Sequence, residues 1–169
     1  MTRYVDGPEI EVELLIRASA ARIWEIVSDP GLPARFSEEL VEAHWGEHPV
    51  GEPGPGSLIE GRNQLDSIGD WTTTSIVTTW VPERTFGWAV RDVEDSAARW
   101  RFELEDRSGH TLLRQHFLIG PGASGVTRWI EADPDNEEAI IDARLTFQAE
   151  NMMRTLEGVK DLAEGQAGR

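Results

Sequence analysis

The chain has 169 residues, 16 of them basic and 31 acidic, for a formal net charge of −15, and it contains no cysteine. A negative field of that size repels phosphate backbones and anionic lipid surfaces and so argues against nucleic acid or a membrane as partner. The lack of cysteine excludes a disulfide framework, thiol catalysis and thiolate metal sites. No apolar run approaches the ~20 residues of a membrane span, and the acidic start MTRYVDGPEIEVE is unlike a signal peptide. The expectation is a single cytoplasmic domain with a core over residues 9 to 163, monomer or homodimer, large enough to bury a core or wrap a cavity.

The first element is IEVELLIR, residues 10 to 17, where Ile10, Val12, Leu14 and Ile16 recur at period two as in a half-buried antiparallel strand. Ser19 then offers an N-cap for a helix whose Ala20, Ile23, Trp24 and Val27 share one face. DPGLP, residues 29 to 33, ends it, and a turn or short helix through Ala34 to Glu39 leads to a strand with Val41, Ala43 and Trp45 on one side. After the turn-rich GEPGPG, strands are predicted near residues 57 to 66, 71 to 80, 84 to 91, 97 to 105 and 111 to 120, with breaks at SIGD, VPE, DVEDS and DRSG. Residues 120 to 138 show no regular pattern. The last segment places Ile141, Leu145, Gln148, Met152, Leu156 and Val159 at steps of three and four, one amphipathic helix of about seven turns. Asp133, Asp135, Glu137 and Glu138 lie at its start, where the helix dipole favours negative charge.

This order predicts an α+β fold: a seven-stranded antiparallel sheet that curls around the one helix large enough to cover its apolar face. GSLIEGRN, WTTTSIVTTW with VPERTFGWAV, ARWRFELED and NMMRTLEGVKDLAE resemble the START-like or SRPBCC proteins, in particular their bacterial polyketide cyclase/dehydrase-like branch. The resemblance covers most of the chain. It implies a helix-grip fold with a cavity between sheet and C-terminal helix, and a small hydrophobic ligand or substrate that is polyketide-, lipid- or aromatic-like. It implies neither a fixed catalytic set nor a cofactor.

Strand parity locates the expected cavity wall. With Ile59 and Leu65 inward, Gly61 and Asn63 also face inward and Arg62 outward. Trp71, Thr73, Ser75 and Val77 share a face, as do Phe86, Trp88 and Val90, then Trp100, Phe102 and Leu104, then Leu113, Gln115, Phe117 and Ile119. Asn63, Thr73, Ser75 and Gln115 become isolated polar groups among Trp71, Trp88, Trp100, Phe102 and Phe117, with Met152 on the facing helix. This suits a mostly apolar molecule with a few hydrogen-bonding functions. An inverted parity in one strand would turn some of these polar groups to solvent instead.

Other constellations carry less. His44 and His48 have a zinc-compatible spacing only on a helix, whereas Gly46 interrupts a strand end between them, and no metal site is expected. His116 alternates with inward residues and belongs to the outer face. DPDNEE, residues 133 to 138, lacks the glycine and glutamate of a calcium loop. Trp24 fits core, and Trp129 a flap. Arg35 and Arg62 are the basic groups expected nearest a cavity mouth, where either could hold an acidic or enolate substrate. Three functions follow: a binding protein; a cyclase, aromatase or dehydratase, weakened by the lack of an inward carboxylate, histidine or tyrosine; and an acidic module that meets a protein partner.

Overall fold

A computed structural model describes residues 1–167. The strands are β1 (Glu9–Ile16), β2 (Leu40–Trp45), β3 (Leu58–Leu65), β4 (Gly69–Val81), β5 (Thr85–Val90), β6 (Ala98–Asp106) and β7 (Thr111–Ile119), and the helices α1 (Ala20–Val27), α2 (Gly125–Ala132) and α3 (Glu137–Ala167). The strands form one seven-stranded antiparallel sheet in the order β1-β7-β6-β5-β4-β3-β2. Since β1 and β2 are consecutive in sequence yet lie at opposite edges, the connection between them must cross a face of the sheet. It carries α1 and a 3-10 turn at Leu32–Arg35, a few residues ahead of the segment predicted for it.

The expected periodicities appear for local reasons. Ser19 caps α1 by accepting a hydrogen bond from the Arg22 N–H at 3.2 Å, and Ile23 and Val27, four apart, are buried. In α3, Ile141, Gln148, Met152, Leu156 and Val159 form the buried stripe, which packs on β1 and β7. This helix is longer than expected, at 31 residues. Among the described residues no helix is long and apolar enough to cross a membrane.

Two bulges correct the predicted strand faces. In β2 the register shifts between Leu40 and Glu42, which turns Val41 outward at 39% exposure and brings Leu40 inward beside Ala43. In β4 it shifts between Val77 and Thr79. Strict alternation would send Trp80 outward, but the extra residue rotates it into the core, 5.0 Å from both the Trp24 and Phe86 rings.

The segment predicted to be irregular contains α2. Ser124 and Thr127 form a reciprocal cap, the Thr127 N–H donating to Ser124 Oγ at 3.3 Å and the Ser124 N–H to Thr127 Oγ1 at 2.8 Å. Val126 and Ile130 then pack against Phe117, Ile119 and Ile141. The helix thus rests on the end of the sheet opposite to the one that α1 covers.

Candidate functional site

Between the concave face of the sheet and α3 lies a cavity of about 390 Å³, rimmed by α2. Its wall includes Asn63 and Trp71 from the β3 and β4 edge, Thr73 and Ser75 further along β4, and Trp88 from β5. Trp100, Gln115 and Phe117 continue it across β6 and β7, and Met152 closes it from α3. Nine of the ten residues proposed for the cavity wall therefore meet around one space. Phe102 does not. It is fully buried in the packed core beneath α1, one inward position beyond Trp100, where α1 fills the room that a cavity would need. Trp129, expected on a flap, lies on α2 at the cavity rim.

Three polar groups on the sheet side of this wall are buried yet unused. Asn63, Ser75 and Gln115 are 8%, 5% and 3% exposed, and among the described residues their side chains have no hydrogen-bond partner. Gln115 Oε1, Arg144 Nε and Asn151 Nδ2 are also shielded from solvent without a partner. A buried polar atom left unpaired costs about 1–3 kcal/mol, a cost that falls on the shielded Gln115 Oε1 and Asn151 Nδ2, while the unpartnered Asn63 and Ser75 side chains line the same space. Gly61 contributes by absence. A Cβ there would lie 3.1 Å from Thr73 Oγ1 and 3.5 Å from Leu40, so glycine lets the β3 backbone recede behind the Thr73 hydroxyl.

An interior carboxylate is present, contrary to the expectation of none. Glu39 precedes β2 and is 8% exposed on the cavity wall. Arg144 of α3 grips it with both terminal nitrogens, Nη1 to Oε1 at 2.7 Å and Nη2 to Oε2 at 3.1 Å, and Gln148 Nε2 adds a bond to Oε2 at 2.7 Å. Next to it the Glu38 N–H donates to Asn151 Oδ1 at 2.9 Å, and Arg154 Nε donates to the Phe36 carbonyl at 3.3 Å. These bonds clamp residues 36 to 39 to the helix and seal one side of the cavity. The Phe36 ring fits only because α3 has glycine at 158, where a Cβ would come within 2.3 Å of it.

The arginines expected at the mouth lie elsewhere. Arg62 pairs with Glu42 at 3.0 Å on the outer face, and Arg35 lies beside the Phe36 ring, 5.6 Å from its centroid. Arg91 and Arg128 border the cavity instead. His116 is on the outer face as expected, 2.8 Å from Glu9. His44 and His48 have separate partners, Glu60 at 3.7 Å and the Ser57 hydroxyl at 3.0 Å.

The family model for polyketide cyclase / dehydrase and lipid transport matches residues 8–157. No curated protein matches the sequence. Among solved structures, the Polyketide_cyc-like protein Cgl2372 from Corynebacterium glutamicum is 22% identical with a TM-score of 0.68, covering 95% of this chain and 94% of that one. An aromatase/cyclase from Streptomyces sp. R1128 is 14% identical with a TM-score of 0.66, covering 92% and 94%. A START superfamily protein from Mycobacterium smegmatis is 13% identical with a TM-score of 0.64, covering 94% and 98%. At these identities the likeness is one of fold, and it agrees with the helix-grip arrangement of sheet and long helix described above.

Proposed function

Since the chain belongs to the polyketide cyclase / dehydrase and lipid transport family, which includes hydrophobic-ligand binders and polyketide cyclases, we propose that its cavity binds a small, mostly apolar molecule bearing a few hydrogen-bonding groups. The observation that carries this reading is the set of buried, unpartnered side chains Asn63, Ser75 and Gln115 on the wall of one cavity. Trp88 and Trp100 support it, lying nearly parallel at an interplanar angle of 16° with ring centroids 6.4 Å apart. Large apolar faces with a few convergent polar groups are the usual chemistry of such sites. Native mass spectrometry before and after exposure to a lipophilic extract tests it. A retained mass of a few hundred daltons (order of magnitude) is the expected result, and a folded protein that takes up nothing refutes it.

A second reading, a cyclase, aromatase or dehydratase in the same cavity, is favoured by Glu39. Its carboxylate lies on the wall, although Arg144 and Gln148 occupy both its oxygens. That arrangement suits an orienting or charge-stabilising group better than a free base. Turnover of a polyketide-like substrate that is lost in Glu39→Gln and in Gln115→Leu would support it. Turnover unchanged in both would remove these residues from the chemistry.

A further inference from the structure

The mouth of the cavity carries a charge pattern that its depth does not. Inside, the half-buried Arg144 is neutralised by Glu39 at 2.7 Å, and among the described residues the groups without a partner, on Asn63, Thr73, Ser75, Gln115 and Asn151, are uncharged amides and hydroxyls. Elsewhere on this acidic chain several arginines lie beside carboxylates, among them Arg3 with Glu137, Arg62 with Glu42, Arg107 with Glu105 and Arg114 with Glu13, while others without such a partner, such as Arg84 and Arg99, lie away from the cavity lining. What sets Arg91 and Arg128 apart is their place. Both border the cavity, both are exposed, and among the described residues neither has a carboxylate within 4.0 Å.

Their placement is built by the fold. Arg91 directly follows β5 in the left-handed backbone region, at φ 77°, held by its N–H bond to the Thr74 carbonyl at 2.8 Å. A non-glycine residue rarely adopts this conformation. It directs the side chain across the mouth, where Nη1 donates to the Ala123 carbonyl at 2.7 Å just before α2. Arg128 lies on the first turn of α2, and among the described residues its side chain has no protein partner. The acidic groups nearby are Asp70 on the rim, Asp92 with Glu94 and Asp95 in the loop after Arg91, and Glu131 beyond Arg128. Asp92 is engaged by the N–H groups of Glu94 and Asp95, each at 2.8 Å.

On the reading of this cavity as a binding site, we infer that its ligand is an amphiphile with an oxyanion head, a carboxylate or a phosphate monoester. Arg91 and Arg128 hold the head at the mouth, and the apolar body lies within along Trp88, Trp100 and Phe117. Guanidinium groups pair with both oxyanions in the same planar geometry. A head held at the rim keeps part of its hydration, whereas burial beside Gln115 would cost most of it. Against a net charge of −15, two cations left without carboxylate partners at one opening make an anion-selective entrance.

The test titrates the tryptophan fluorescence of the full chain with decanoate, decyl phosphate and decanol near neutral pH, each below its micelle concentration. The expected result is about tenfold tighter binding of at least one anion than of the alcohol, a ratio that falls with added salt and approaches one in Arg91→Gln with Arg128→Gln. Arg128→Gln alone, which breaks no protein contact, should lower the same ratio and keeps the test decisive if the double variant folds poorly. Equal affinity for decanol and both anions, or a ratio that survives the substitutions, overturns this inference and leaves the binding reading intact. Binding of none of the three overturns this inference, and uptake from the lipophilic extract then decides the binding reading by itself. A preference between decanoate and decyl phosphate separates a carboxylate ligand from a phosphate one.

Discussion

The concave face of the sheet has two halves built from similar residues and put to opposite uses. Under α1 it is filled: Trp24, Trp45, Trp80 and Phe86 meet edge to face at centroid distances of 5.0 to 6.5 Å, closed from below by Phe102, Leu113 and Leu156. Under α2 it is hollow: Trp88, Trp100 and Phe117 stand beside unpartnered amides and a hydroxyl. One helix, α3, spans both. The difference teaches that aromatic content does not decide which half is core. What decides is whether a crossing helix delivers side chains into the space, as α1 does with Ile23 and Val27, or rests on the rim, as α2 does.

Breaking the filled half should have the largest effect. Phe102→Ala removes a ring with no exposure from a close-packed cluster and should cost about 3–5 kcal/mol in denaturant unfolding. If the region were a second cavity able to relax, the loss would be far smaller. The clamp that closes the hollow half comes next. Glu39→Ala leaves the Arg144 guanidinium, with its side chain 15% exposed, without its partner, and should cost about 3 kcal/mol. Glu39→Ala with Arg144→Met should recover part of that loss, which unfolding of the pair and both single variants would measure as a coupling energy.

The two halves were unequally legible from the chain. The hairpin strands from β3 to β7 could be read because alternation and turn chemistry are local, and parity alone brought Asn63, Ser75, Trp88, Trp100 and Gln115 to one wall. Parity does not say where the wall stops, so Phe102 was grouped with Trp100 although α1 fills the space beneath it. Glu39 was missed because its partners are more than a hundred residues away, Arg144 at a separation of 105 and Gln148 at 109. A signal existed in α3: Arg144 and Gln148, four apart, both interrupt the apolar stripe between Ile141 and Met152, and a cation on a buried stripe calls for a buried acid. The mouth was least legible. Eight residues of helix among glycines and a proline give little periodicity, so α2 and Arg128 were not placed, and Arg62 was put near an opening that its pairing with Glu42 removes.

Removing an unpaired amide from the hollow half should have a smaller effect of opposite sign. Gln115→Leu replaces an unpaired buried amide by an apolar group of similar length and should stabilise the unliganded protein by about 1 kcal/mol. The same change should weaken binding of any ligand that donates a hydrogen bond to Oε1. Thermal unfolding and a binding titration on one sample separate the two effects. A stability loss would mean that the amide has a partner in solution and that this half is less hollow than its geometry indicates.

The smallest effect concerns the far end of the filled half, where Glu164 near the end of α3 is held by Lys160 Nζ at 2.6 Å and by the N–H of Arg17, just after β1, at 2.7 Å. The Lys160 bond first and the Arg17 N–H second hold its carboxyl below the usual glutamate value. The unfolded chain therefore takes up this proton at a higher pH than the folded one. The contact's stabilisation is fully present above the unfolded value and disappears as pH falls through the folded one. Glu164→Gln should lower the melting temperature slightly near neutral pH and leave it unchanged in strong acid, so that the two melting curves converge as pH drops. Added salt should shrink the gap without closing it, because it screens the partly exposed Lys160 ammonium more than the backbone hydrogen bond. A gap that is constant with pH would assign the effect to packing of the side chain. No gap at all would mean that the Lys160 and Arg17 contacts to Glu164 contribute nothing to folding.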